Sequence, residues 1–244
     1  GSSDDTAELA AAAGAEVVRH GHNLGLASAF RSGVRAALER GADIAVSMDA
    51  DLQFSPDAIP DLIEPIVAGR ADFVAGNRFP DGLRPQNMPA AKYHGNRLMT
   101  GVINRITGKS FSDVSSGYRA YGREALLHLN VQSSFTYTQE SFLELCAKGL
   151  RIEQTPVGVR YGPQRRSAIS GNLFRYALRT LLTIGRATRD YTPFAVFGTL
   201  AAALIVPGLA LGLFVLGHYL LNGSFSPYIF VAFTAAYLFT AGFA

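Results

Sequence analysis

After Asp190 the chain carries no Asp, Glu, Lys or Arg through its last residue, Ala244. A hydrocarbon core about 30 Å thick is crossed by roughly 20 apolar helical residues. Phe194 to Leu221 satisfies that length, with Pro207-Gly208 as an expected kink. Asn222-Gly223 and Ser226-Pro227 then make a short turn, and Tyr228 to Ala244 begins a second apolar segment. Everything before Asp190 has the mixed composition of a globular domain. The overall 48% hydrophobic and 17% charged content is therefore an average over two unlike parts. Three segments are expected: a globular domain over 1–169, a juxtamembrane helix over 170–190 and a transmembrane hairpin over 191–244. Both ends read as cuts through a longer protein, and Gly1-Ser2 could also be a tag remnant.

The net charge of +3 is modest, but Arg160, Arg165, Arg166, Arg175, Arg179, Arg186 and Arg189 crowd in front of the apolar region. Such a cluster marks a cytoplasmic flank and attracts anionic headgroups. Leu173, Phe174, Ala177, Leu178, Leu181, Leu182 and Ile184 are apolar while Arg175, Arg179 and Arg186 share one helical face, the pattern of an interfacial amphipathic helix. Nucleic acid is not expected as a partner. The single Cys146 excludes an internal disulfide.

Within the globular part, short apolar runs alternate with helical periodicity. Helices are expected over 4–13, 28–40, 55–67, 92–106, 123–129 and 139–148. Strands are expected at 16–20, 44–48, 71–75 and after the turn at Asp113, with an edge strand at 151–161 interrupted by Pro156. This alternation predicts an α/β fold, a mostly parallel sheet with helices on both faces.

The run Ile44-Ala45-Val46-Ser47-Met48 ends in Asp49-Ala50-Asp51-Leu52-Gln53. In an extended backbone, residues two apart point the same way, so Asp49 and Asp51 would project together from the carboxyl edge of a sheet. Paired hard oxygens suit Mg²⁺ or Mn²⁺ held against phosphate, with Gln53 adding a neutral oxygen. The plain alternative is a solvated turn.

Five motifs occur in order: Gly1-Ser2-Ser3-Asp4-Asp5-Thr6, Asn23-Leu24-Gly25, Asp49-Ala50-Asp51-Leu52-Gln53, Gly76-Asn77-Arg78 and Asp113-Val114-Ser115-Ser116-Gly117-Tyr118-Arg119. Together they resemble the family 2 glycosyltransferases of GT-A type, nearest the membrane-anchored polyprenyl-phosphate branch that includes dolichol-phosphate mannosyltransferase. The resemblance implies an inverting transfer from a GDP- or UDP-linked sugar to polyprenyl phosphate at the cytoplasmic membrane face. It puts Asn23 and Gly25 in the nucleotide-side turn, and the ion on Asp49, Asp51 and Gln53. The family's acidic nucleotide contacts before the Gly-Ser pair have no counterpart here.

A phosphate monoester is already anionic at neutral pH and needs cations to place it, whereas a sugar hydroxyl needs a general base. Arg78, Lys92 and Arg165 are the expected cations, joined by Arg119, with Asn96 and Ser170 as hydrogen-bond partners. Arg165-Arg166-Ser167-Ala168-Ile169-Ser170 is similar to the family's R-x-x-G-x-S segment, with Ala168 where Gly is usual. Asp51, Asp113 and Arg78 are the residues expected to carry catalysis. Asp113 could position sugar or acceptor, orient Arg119, or act as base if the acceptor is a hydroxyl. Glycosylation of a lipid-linked glycan and a catalytically degenerate membrane-tethered protein are the alternatives. Self-association is left open.

Overall fold

A computed structural model describes residues 1–132, 137–161, 182, 185–186, 188–189 and 193–243. The chain divides into two compact units, Gly1–Ala187 and Thr188–Ala244. The first contains helices α1 (Thr6–Ala12), α2 (Leu26–Glu39), α3 (Ile59–Val67), α4 (Ala90–Thr107), α5 (Arg123–His128) and α6 (Thr138–Ala147). Its strands are β1 (Ile44–Ser47), β2 (Phe73–Asn77), β3 (Arg119–Gly122) and β4 (Ile152–Pro156). The second holds α7 (Pro193–Asn222) and α8 (Ile229–Ala241).

The sheet runs β1-β3-β2-β4. β2 and β4 are parallel, while β3 is antiparallel to both β1 and β2. The sheet is thus mixed: β1, β2 and β4 share a direction and β3 is inserted against it. Alternation along β2 puts successive side chains on opposite faces. Val74 faces one way, opposite its register partner Ala120, in a cluster with Leu62 of α3. Phe73 faces the other way, its ring 4.9 Å from that of Tyr121 and 5.3 Å from that of Phe142 on α6. Helices therefore cover both faces, and β2 is buried throughout, as a central strand must be. Full burial of side chains such as Val74 and Leu62 is worth about 1.5–3 kcal/mol each.

Glu16 to His20 is not a strand. Apolar character alone does not make one; a ladder partner is needed, and none of the four strands pairs with this segment. Pro156 sits at the end of β4, an edge strand, where its missing N–H costs little. Helix α3 is preceded by a short 3₁₀ turn at Pro56–Ala58, capped by the Ser55 side chain accepting from the Asp57 N–H.

In the second unit, α7 runs as one helix through Pro207. Val196–Asn222 within it is long and apolar enough to cross a membrane by length and composition. At 13 residues, α8 is shorter than a full span. The two pack closely at Gly208, where a Cβ would lie 2.9 Å from the Phe239 nitrogen. Small residues permit such backbone approach between apolar helices. Most of the expected amphipathic helix at 170–190 lies outside the described residues.

Candidate active site

Strand β1 ends at Ser47, so the two acids lie beyond it, with Asp51 in a turn. What brings them together is a turn. The Asp51 Oδ1 accepts from the Gln53 N–H at 3.1 Å, an Asx turn, and Leu52 takes a left-handed φ of 62°. Ser47 anchors the start of the loop: its Oγ donates to the Gly117 carbonyl at 3.0 Å and meets the Tyr137 hydroxyl at 3.0 Å.

Asp49 is exposed as a residue, yet its Oδ2 lies 3.2 Å from the place a Cβ on Gly117 would take. Its carboxyl is desolvated there, which raises its pKa; the neighbouring charge of Asp51 raises it further. Arg119, Arg78 and Lys92 act in the opposite direction. One carboxylate thus feels the second acid and three of the expected cations. Two acids that repel one another form the electrostatic setting a divalent ion relieves.

Arg78 extends from the end of β2, where the Asn77 Oδ1 accepts from the Phe79 N–H at 2.8 Å and turns the chain. Gly76 is required by packing: a Cβ would fall 2.8 Å from Val157. The Arg78 guanidinium grips Asp113 bidentately, Nε to Oδ2 at 2.7 Å and Nη2 to Oδ1 at 2.9 Å. Asp113 also accepts from the backbone N–H groups of Arg78 and Ser115, at 3.2 and 3.0 Å. It is fully buried and Arg78 is 7% exposed. Four donors therefore satisfy this carboxylate. A base must be free to take a proton, and this one is committed.

Asp113 does not orient Arg119. The Arg119 guanidinium donates to the carbonyls of Ser116 and Val114 and to the Ser141 hydroxyl, at 2.6, 3.0 and 2.6 Å. It also lies 4.9 Å from the Phe142 ring centroid. Arg119 has no exposed surface, so it is a buried tie, not a phosphate ligand at the cleft. It reaches the site through its charge on Asp49.

Lys92 opens the first turns of α4, and its Nζ sits 4.9 Å from the centroid of the Tyr161 ring. Its pKa is lowered, first by desolvation and then by Arg78; Asp51, Asp113 and Asp49 counteract. Asn96, one turn along the same face, has a buried Nδ2 with no hydrogen-bond partner among the described residues. A buried amide donor without an acceptor is costly, and a ligand oxygen would satisfy it. Asn23 accepts from the Gly25 N–H at 2.9 Å, closing the turn before α2, and Gly25 has φ of 86°. These two join the site indirectly: Phe30 of α2 stacks on Tyr137 at 3.9 Å, and Tyr137 meets Ser47. Arg165 and Ser170 lie outside the described residues.

Two contributors carry no motif. Gln154 of β4 accepts from the Ser112 N–H and donates to the Asp113 carbonyl, both at 2.6 Å, clamping the loop that presents Asp113. Tyr161 accepts from Arg78 Nη1 at 3.5 Å. Neither has a local signal, because both act across long sequence separations.

An α/β domain with an acid pair beside buried and half-buried cations is the class of site this geometry defines. The Glycosyl transferase family 2 pattern matches residues 1–129, and the chain belongs to that family. Glycosyltransferase AglJ from Haloferax volcanii is 31% identical over 98% of this chain and 77% of its own length. UDP-N-acetylglucosamine–dolichyl-phosphate N-acetylglucosaminyltransferase from Methanococcus voltae is 32% identical over 59% of each chain. The chain thus spans about three-fifths of that relative. Polyprenol monophosphomannose synthase from Mycolicibacterium smegmatis is 28% identical over 63% of this chain and 59% of its own. A solved structure of glucosyl-3-phosphoglycerate synthase from Mycobacterium tuberculosis, in complex with Mn²⁺, UDP and phosphoglyceric acid, has a TM-score of 0.60. That match is 20% identical and covers 77% of this chain and 65% of the other, which establishes the GT-A fold alone.

Proposed function

We propose that the chain is the catalytic part of an enzyme that moves one sugar from a nucleotide-sugar to polyprenyl phosphate, with inversion, at the cytoplasmic face of a membrane. The names of five relatives pair a sugar with a dolichyl, undecaprenyl or polyprenol carrier. The observation that carries the acceptor half is the saturation of Asp113 by four donors. A hydroxyl acceptor would need that base; a phosphate oxygen does not. An acceptor phosphate oxygen bonds to the sugar's anomeric carbon as the bond from that carbon to the nucleoside diphosphate breaks. Arg78, Lys92 and Asn96 hold and orient the incoming anion.

Asp49, Asp51 and the Gln53 amide oxygen would hold Mg²⁺ or Mn²⁺. No cluster of three His, Cys, Asp or Glu side chains gathers among the described residues. Two carboxylates nonetheless suit an ion that completes its shell with water and substrate phosphate. When bound, such an ion supplies charge stabilisation to the departing diphosphate.

The experiment is to give radiolabelled nucleotide-sugars and polyprenyl phosphate to membranes carrying the full-length protein. The expected product is label in an acid-labile lipid phosphodiester. Label on a glycan hydroxyl, or no labelled lipid with any common donor, would overturn the reading.

A further inference from the structure

Tyr161 belongs to none of these motifs, yet its contacts and those of its neighbours place it between the two halves of the site. Val159 forms an antiparallel bridge with Phe54, and the Arg160 N–H donates to the Gln53 carbonyl at 2.9 Å. The residue just before Tyr161 is therefore bonded to the last residue of the acid turn. The Tyr161 hydroxyl accepts from Arg78, and its ring lies under the Lys92 ammonium. Burial pushes its phenol pKa up, so the side chain stays neutral and keeps the ring face that attracts a cation.

We infer that Tyr161 is a positioning residue: it holds Lys92 and Arg78 in register with the acid turn, and so sets how the anionic acceptor meets the donor. A surface lysine would lose side-chain entropy on binding phosphate. A ring that captures the ammonium beforehand reduces that loss. The tether through Gln53 fixes the ring's distance from the donor side. The inference rests on the proposed transfer to a phosphate acceptor.

Two replacements separate electrostatics from packing. Tyr161→Phe keeps the ring and loses only a long hydrogen bond. Tyr161→Leu keeps apolar bulk and loses the ring face. In the full-length protein, Tyr161→Leu is expected to raise the acceptor KM roughly tenfold, with the donor KM within about twofold of wild type. Tyr161→Phe is expected to stay within about threefold in both. A second measurement does not depend on turnover: NMR titration of Lys92 with ¹³C-labelled lysine. Lys92 also faces the charges of Arg78, Asp51, Asp113 and Asp49, which both variants keep. Losing the ring removes a stabiliser of the ammonium, so Tyr161→Leu is expected to lower the Lys92 pKa below wild type and Tyr161→Phe to leave it.

The inference is overturned if Leu and Phe behave alike in the titration, or if Leu raises both KM values equally. Failure of the wild type to label polyprenyl phosphate would instead sink the functional reading, with the titration still deciding the role of Tyr161.

Discussion

The donor-side turn and the acceptor-side cations are built in opposite ways. Residues 49–53 are mostly exposed and held by a local Asx turn, with carboxylates left open to a ligand. Arg78, Asp113 and Arg119 are buried, and nearly every polar contact they make is internal. The first region spends little stability on being ready to bind an ion. The second is an ion pair removed from water, where losing one partner is far costlier than the pair's net worth.

That contrast can be broken most sharply at Asp113. Asp113→Ala leaves the Arg78 charge buried without its partner. We expect a loss of about 3–5 kcal/mol of stability, read by denaturant unfolding, together with loss of activity. Asp51→Asn should do the reverse. Turnover should fall by about 10²–10³-fold, with the unfolding midpoint close to wild type. If Asp51→Asn unfolds the domain, or Asp113→Ala leaves it as stable as before, the two regions are not built differently.

Gly117→Ala sharpens the comparison where the regions meet. A Cβ there sits 3.2 Å from Asp49 Oδ2, tighter than ordinary contact. The Asp49 carboxyl should be displaced at a cost of about 1–3 kcal/mol in Mn²⁺-dependent nucleotide affinity. Calorimetry would measure it, and unchanged affinity would place Asp49 elsewhere.

The pH dependence tests the acceptor side alone. Because the Lys92 pKa is lowered from 10.5, its charge is lost before an ordinary lysine's as pH rises. The alkaline limb of kcat/KM for the acceptor, which reports the free enzyme, should therefore begin below 10.5. Lys92→Arg should move that limb upward. For folding, desolvation disfavours the ammonium, so Lys92 destabilises the fold below its folded pKa. That penalty disappears as pH rises from the folded toward the unfolded value. The smallest effect is expected at Asn23. Asn23→Ala removes one exposed hydrogen bond to the Gly25 N–H and should weaken nucleotide binding by about 0.5–1.5 kcal/mol.

The same contrast explains what was legible in the sequence. Asp49, Asp51 and Gln53 stand out in the sequence, but their geometry was misjudged: the expected strand end is a local Asx turn past β1, which the plain alternative of a turn had allowed. The alternation of apolar runs and helical periods located every strand of the sheet. It misjudged Glu16–His20, because pairing is decided by distant chain. It also gave no sign that β3 enters the sheet reversed, since side-chain alternation is the same in either direction. Asp113 and Arg119 share one motif, which invited pairing them, but Arg78 arrives 35 positions away and takes the carboxylate. Gln154 and Tyr161 were invisible for the same reason: each acts through a contact the fold creates.

Asp49 and Asp51 would together hold a divalent ion at the nucleoside-diphosphate site, and on that everything else proposed for this chain depends. The most direct measurement is calorimetric titration of UDP and GDP into the full-length protein with and without Mn²⁺, for wild type and Asp49→Asn/Asp51→Asn. The account predicts binding of one of the two nucleotides that requires Mn²⁺ and disappears in the double variant. Equally tight binding without the metal, or in the double variant, would contradict it.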